Sequence, residues 1–593
     1  MAGNPKRVLL GALVATVAFG VLAGVLRGEF ADSFTLPDAE SQRAYDLLDE
    51  RFPQRSGSSA TLVFRSTADG GIASEPSATE IQALLDTVKT LPHVAGVDSP
   101  LEFPHQVSTG GDIAYATVNY DALSNEVPIA DAEKLVAAAD AANSDTLQVE
   151  AGGEIVALTE QEFGGTAELI GIGAAIIILL IAFGSVVAMG VPIVMALIGL
   201  ALGFMGIGIA TGFLDIATFA PAFASMIGIG VGIDYSLFIV TRFREGLTAG
   251  LDPREATIRA LDTSGRAVLF AGAVVVISML GLSVVGIPFV TALGLAAAIV
   301  VASAVLVAFV FLPAMLVLIG RRIDKWSVHR PGSRTGDGVP VGRRLSNRIQ
   351  ARPALYAAVS AGLLLVLAIP VIDVDLGFPD ASTNPPDFHT RQAYELLTEG
   401  FGAGFSNPLI LVVEDESGIQ QETLDRIAAD VAAAEGIIQV DQPFVNDAGD
   451  TAVITVMPAS SANDGATQDL VQNLRDTTLP AALEGSGAQV FVGGPTGSFL
   501  DFFEHMENRT PYVFVVIIGL SFLLLTIVFR SPVIAIKAAV MNILSISAAF
   551  GVVIAIFQWG WAASLFGIDE KQPIAVFSAD VPLCHPVRSL DGL

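Results

Sequence analysis

The sequence predicts an α-helical polytopic membrane protein made by tandem duplication, with an α+β domain outside the membrane in each half. Three observations predict it. First, 52% of the 593 residues are hydrophobic and only 15% are charged, with a mean hydropathy of +0.63. Soluble domains carry about 25% charged residues. Second, the apolar residues gather in runs long enough to cross roughly 30 Å of hydrocarbon. Third, the second half of the chain repeats the first.

The formal charge of -29 is segregated. Arg27 to Phe163 holds 24 acidic against 7 basic side chains, whereas Arg321 to Arg352 is almost purely basic. Lys and Arg mark cytoplasmic segments, so the acidic blocks are expected outside and the basic linker inside. An acidic surface argues against nucleic acid as a partner. The single cysteine, Cys584, rules out an intramolecular disulfide, and no Cys/His cluster suggests a metal site. No phosphate loop ending in Lys-Ser/Thr supports ATP coupling, and no Ser/His/Asp set suggests an enzyme. No cofactor is expected.

Taken in order, Lys6 and Arg7 precede an apolar run from Val8 to Leu26. No small-x-small cleavage site follows it, so it reads as an uncleaved first span over 1–26. The acidic block over 27–166 shows strands at Thr61–Phe64, Val94–Val97, Ala114–Asn119 and Leu147–Ala151. Helices at Thr79–Leu91 and Ala130–Ala142 complete a βαββαβ order, that of a ferredoxin-like unit. A five-span bundle is expected over 167–320: Leu169–Ala188, Val191–Thr211, Phe219–Thr241, Ala267–Gly286 and Thr291–Ile319. Arg242 to Arg266 contains five arginines. Within it, Asp252-Pro253-Arg254-Glu255 reads as an N-cap, a Pro at the first helical position and an acid in the first turn. A short cytoplasmic surface helix is expected there.

After the basic linker over 321–353 the chain begins again, with a span over 354–371. Thr390-Arg391-Gln392-Ala393-Tyr394-Glu395-Leu396-Leu397 repeats Ser41-Gln42-Arg43-Ala44-Tyr45-Asp46-Leu47-Leu48. Gln489-Val490-Phe491-Val492-Gly493-Gly494 repeats Gln148-Val149-Glu150-Ala151-Gly152-Gly153, and Phe529-Arg530-Ser531 repeats Phe183-Gly184-Ser185. The second outer block, 372–510, again reads βαββαβ: Leu409–Val413, Gln421–Ala434, Ile437–Val440, Ala452–Met457, Gln468–Thr478 and Gln489–Val492. Two further spans follow over 511–558, then an outer connection over 559–577. Both copies start inside, so the repeats run parallel about an axis along the membrane normal. About nine spans are expected.

The stretch that carries function is Gly228-Ile229-Gly230-Val231-Gly232-Ile233-Asp234-Tyr235. A carboxylate in the middle of a membrane span costs about 2.5–3.5 kcal/mol and marks ion or proton traffic. Gly228, Gly230 and Gly232 are expected to leave the helix bare for close packing. A dinucleotide loop is excluded, because no strand precedes the glycines. Asp234 as a purely structural hydrogen-bonder between helices is the plainer alternative. Asp215 and Asp569 read as loop residues, Met195, Met205 and Met226 as core packing, and His505 as part of a solvated surface.

This architecture, with Gly-Ile-Asp234-Tyr235-Ser-Leu-Phe followed by Arg242-Phe243-Arg244-Glu245, resembles the MmpL family of the resistance-nodulation-division (RND) superfamily. Thr263-Ser264-Gly265-Arg266-Ala267-Val268-Leu269-Phe270 is also similar to the family, and the first bundle resembles the sterol-sensing type. The resemblance implies twelve spans and a bacterial inner membrane with the N-terminus inside. It implies proton-driven export of lipids or other hydrophobic compounds held by the outer porter domains. Asp234 and Tyr235 would then form a proton relay, with Arg242, Arg244 and Glu245 a cytoplasmic motif. Self-association is left open. A non-transporting, lipid-binding or regulatory protein of the sterol-sensing type is the alternative.

Two departures from the family stand out. Ala271 occupies a position where the family often has a hydroxyl. A second Asp-Tyr pair is expected about 15 residues after Phe577, yet residues 578–593 are polar, hold two prolines and cannot span a membrane. The expectation is a shifted or misassembled reading frame near codon 577 that removes three spans and impairs transport, with a natural short form as the alternative.

Overall fold

The computed structural model describes residues 5–28, 30, 35–52, 58–122, 124, 126–160, 166–326, 341–374, 377 and 380–561. The expectations for Asp569 and for the tail 578–593 lie outside the described residues. Helix α1 (Pro5–Leu26) is followed by α2 (Glu40–Arg51) and by the first α+β unit. That unit runs β1 (Ser59–Ser66), α3 (Glu75–Val88), β2 (Val94–Asp98), β3 (Ile113–Tyr120), α4 (Ile129–Ala142), β4 (Leu147–Gly152) and α5 (Glu154–Glu160). Its strands lie in the order β2-β3-β1-β4, every neighbouring pair antiparallel. Leu62 and Phe64 point into a core with Ile81, Leu85, Leu135 and Val149.

The first bundle comprises α6 (Thr166–Phe183), α7 (Val186–Ala210), α8 (Ala220–Thr248), α9 (Pro253–Ala260), α10 (Arg266–Leu280) and α11 (Pro288–Ile319). Helices α7, α8 and α11 pack on one another, α1 lies on α7 and α11, and α10 lies on α11. The expected surface helix is α9, which runs through a π turn at Leu261–Gly265 into α10. Asp252 sits at its N-cap position but makes no side-chain cap bond.

The second half repeats the order: α12 (Val341–Ala351), α13 (Pro353–Ala368), α14 (His389–Phe401), β5 (Leu409–Glu414), α15 (Gln421–Ala432), β6 (Ile437–Val440), β7 (Phe444–Val445) and β8 (Thr451–Pro458). Then come α16 (Gly465–Asn473), α17 (Leu479–Ala482), β9 (Gln489–Gly493), α18 (Gly494–Phe529) and α19 (Pro532–Phe557). The strand order is β6-β8-β5-β9, the counterpart of the first sheet, with the short β7 added beside β8. Helix α18 carries the chain without interruption from the sheet into the apolar region over 36 residues.

Eight helices among the described residues are long and apolar enough to cross a membrane. The expected span at Leu169–Ala188 is the ninth. It ends early: α6 stops at Phe183 and its described apolar part is the shorter Gly171–Phe183. The reason is local. Gly184 takes φ +63°, and the Ser185 hydroxyl caps α7 by accepting from Ala188 N at 3.4 Å. The apolar residues on both sides of this turn hide it from hydropathy. The repeat makes the same turn at Arg530, φ +50°, between α18 and α19.

The two halves exchange a helix. Helix α2 of the first half lies on β9 and β5 of the second, and α14 of the second half lies on β4, β1 and β3 of the first. Ala44 and Leu47 are buried against Val412, while Ala393, Leu396 and Leu397 are buried against Val63 and Ile113. Each sheet is therefore covered on both faces: Leu62 and Phe64 face their own helices while Val63 faces the other half's.

Candidate functional site

Asp234 lies near the middle of α8, and the packing of that helix decides what it can do. One side is buried against α7 and α11 and carries Gly228, Gly232, Tyr235, Ser236, Ile239 and Phe243. The opposite stripe, Met226, Gly230, Asp234, Phe238 and Arg242, is exposed. These residues recur every four positions, the spacing of a single helix face. So Asp234 stands on a face of α8 that no described residue covers. Met226, expected in the core, shares that face at 44% exposure.

The three glycines separate accordingly. A Cβ on Gly232 would stand 3.0 Å from Ala196 of α7, and one on Gly228 would stand 2.2 Å from Val300 Cγ1 of α11. Those two set the close approach of three helices. Gly230 would meet nothing within 4 Å, against the expectation that it packs. Residues two apart on a helix lie on opposite sides, while residues four apart lie on the same one.

Tyr235 points away from Asp234, into the packed side. It is 7% exposed. A Cβ on Gly272 of α10 would lie 3.6 Å from its hydroxyl, so the hydroxyl rests against the α10 backbone. Sequence spacing joins Asp234 and Tyr235 as one pair, but the helix turns them about 100° apart. Ala271, one residue before Gly272, is exposed.

The far end of α8 is tied down by its charged residues. Arg244 donates through Nε and one terminal nitrogen to Asp324 Oδ1, at 2.9 and 2.7 Å. Its guanidinium lies 5.4 Å from the Phe183 ring centroid. Arg242 pairs with Glu245 at 2.7 Å on the same helix. Ser185 donates to the Ile323 carbonyl at 2.8 Å. The ends of α6, α8 and α11 therefore meet in one polar knot.

In the two sheet-bearing units, two polar clusters hold the exchanged helices. Ser41 N donates to Asp501 Oδ2 at 2.8 Å, and Thr390 N donates to Glu160 Oε1 at 3.3 Å. Arg475 bridges Glu40 Oε2 at 3.0 Å and Asp501 Oδ1 at 2.6 Å. Burial pushes the Glu40 carboxyl above its ordinary range, although the Val492 N–H and Arg475 act against it. Glu40, Arg475 and Phe491 also line an open cleft of about 290 Å³ beside α17. His505, one turn beyond Asp501 on α18, donates from Nε2 to the Val285 carbonyl at 2.9 Å. It is half-buried and joins α18 to the α10–α11 connection, rather than facing solvent as expected.

The family model described as MMPL family matches residues 33–356 and 382–565. The chain belongs to the MMPL family. Several of its MMPL relatives are named as exporters or transport proteins. Membrane protein YdfJ of Bacillus subtilis is 32% identical over 583 residues, covering 97% of this chain and 79% of that protein. The mycolic acid-containing lipids exporter MmpL11 of Mycolicibacterium smegmatis is 31% identical, covering 66% of this chain and 42% of its own length. The trehalose monomycolate exporter MmpL3 of Mycobacterium tuberculosis is 28% identical, covering 66% and 45%. The chain thus spans less than half the length of the two exporters. Together with the eight apolar helices, this MMPL membership makes it a multi-pass membrane protein of a transporter family.

Sequence reasoning singled out Asp234 and Tyr235 and passed over Glu40, Arg475, Asp501 and His389. The second covering layer, though not the residues that hold it, left a signal. Leu62-Val63-Phe64 and Leu411-Val412-Val413 are unbroken apolar runs, the pattern of strands covered on both faces.

Proposed function

We propose that the chain is a proton-driven exporter of lipids or other hydrophobic compounds, with Asp234 as its proton carrier. The observation that carries the reading is an acid in the middle of a 29-residue apolar helix, in a chain of a transporter family. Residues 27–166 and 372–510 are then two ferredoxin-like porter domains, and the exchanged helices make them move together. Residues 167–320 form the first bundle, the bilayer is the working surface, and a bacterial inner membrane with the N-terminus inside is the setting. Tyr235 holds the α8–α10 contact through which protonation of its neighbour is felt. Gly228 and Gly232 let α8 slide against α7 and α11, while Arg242, Arg244 and Glu245 anchor its cytoplasmic end.

The test is transport of a fluorescent lipid in proteoliposomes under an imposed pH gradient. Transport that follows the gradient, and is lost in Asp234→Asn, supports the reading. Transport that ignores the gradient removes the proton from it. A non-transporting lipid-binding protein is the second reading, favoured by the exposed face around Asp234. In that case lipid binding survives Asp234→Asn and no flux is seen in either protein.

A further inference from the structure

His389 opens α14 and lies against carboxylates of the other half. Its Nδ1 is 2.8 Å from Glu150 Oε2 on β4, and its Nε2 is 3.4 Å from Asp140 Oδ1 on α4. Its backbone N–H donates to Glu160 Oε1 on α5 at 2.6 Å, and the Thr390 hydroxyl donates to the other oxygen of the same carboxylate. Glu150 is only 5% exposed, and its second oxygen accepts from Gln148 Nε2 at 3.0 Å. The remaining charges near α14 are occupied or turned outward. Arg65 on β1 pairs with Glu399 further along the helix, and Arg391 pairs with Glu395 at 2.6 Å. Asp380 accepts from Ser382 N, and Asp387 is exposed.

A neutral imidazole has one N–H and one lone pair, whereas the imidazolium has two N–H donors. Here both ring nitrogens face carboxylate oxygens. Only the charged ring satisfies both; a neutral one sets a lone pair against an anion. The repeat sharpens the point. The residue matching His389 in the first half is Glu40, the first residue of α2, and there the positive charge comes from Arg475, which never loses its proton. The same joint is therefore built twice, once with a permanent cation and once with a titratable one.

We propose that His389 is a proton-binding site in the outer part of the molecule, separate from Asp234, whose protonation locks α14 of the second half onto the first sheet. Loss of that proton frees the start of α14 while α2 stays held. The hydrogen bond to Glu150 first, then the charges of Glu150, Asp140 and Glu160, hold the imidazole above its ordinary value against the pull of burial. A base with a raised folded-state pKa adds stability that is fully present below its unfolded value, about 6.5. That stability is lost as pH rises through the folded value. The joint is closed in acid and loosens toward alkaline pH.

Hydrogen exchange of the full chain in lipid nanodiscs, corrected for intrinsic rates, reads this directly and needs no transport. From about pH 5.5 to about pH 8.5, protection at the start of α14 should fall by about tenfold, while α2 stays level. His389→Gln should be weakly protected at both pH values, and His389→Lys strongly protected at both. If His389→Gln does not fold, Glu150→Gln, which keeps the acceptor and removes the charge, should move the transition to lower pH. An equal change at α2 and α14, or a transition that persists unchanged in the variants, overturns the proposal.

Discussion

Ala44 and Gly493 meet across the two halves of the chain: a Cβ on Gly493 would stand 2.7 Å from the Cβ of Ala44. Ala393 and Gly152 repeat the contact with the halves reversed, at 3.1 Å. Each half ends its sheet on a glycine, and each glycine receives an alanine from the other half's helix. Duplication supplied the two copies, and these contacts made them one body.

Gly493→Ala should therefore loosen the outer domains more than Gly152→Ala, because its gap is smaller and Ala44 sits on a rigid helix. Overpacking of this kind costs about 1–3 kcal/mol. Thermal unfolding and limited proteolysis measure it, and adding Ala44→Gly to Gly493→Ala should restore part of the loss.

The α8 glycines should respond in opposite ways. Gly232→Ala drives a methyl into the Ala196 backbone and should lower stability by about 1–3 kcal/mol. Gly230→Ala meets open space and should be neutral, or stabilising by up to about 1 kcal/mol through helix propensity. Melting of both variants in the same detergent decides it; equal losses would refute the assignment of faces.

Asp234→Asn should abolish gradient-driven lipid flux and leave the fold intact. Its side chain is covered by no described residue of the protein, and the amide removes a charge that is costly inside a membrane span. Flux in proteoliposomes and unfolding of the same preparation are the paired measurements.

Arg244 and Asp324 should couple in a double-mutant cycle by about 0.2–1 kcal/mol, the range for a pair open to solvent. Arg244→Gln alone should cost more than Asp324→Asn alone, because it also loses its place over Phe183.

Arg475→Ala should be among the most damaging outer substitutions. It leaves Glu40 and Asp501, the latter 8% exposed, without their cation, and breaking such a pair costs about 3–5 kcal/mol. The defect should shrink as pH falls. Burial already raises the Glu40 carboxyl, and without the guanidinium the folded state gains more by protonating it. The stability curves of the variant and the unsubstituted protein should converge at acid pH.

Much of this was legible because it is local. Strands β1, β4, β5 and β9 and helix α4 fall within one or two residues of where alternation and periodicity put them, since burial on a sheet or helix face writes itself into the spacing of apolar residues. The turn at Gly184-Ser185 was not legible, because apolar residues continue on both sides of it and hydropathy sees no boundary. Arg475 was illegible for another reason: its partners Glu40 and Asp501 are brought to it by the exchange of α2, and nothing near Arg475 in the chain announces them.

By itself the sequence determined that the chain enters a membrane many times, that it is built twice, and that one acid, Asp234, sits where acids are costly. Those properties depend on composition, period and repetition along the chain. The tertiary structure alone decided which half each outer helix serves and which way the residues of α8 face. It turned Asp234 outward and Tyr235 inward, set Gly230 apart from Gly228 and Gly232, and carried His389 across to Glu150. The physical reason is that both repeats present the same surfaces. Either sheet accepts either helix by pattern and by its alanine-on-glycine contact, but only the exchanged arrangement brings Glu40 to Arg475 and His389 to Glu150 and so sets opposite charges together.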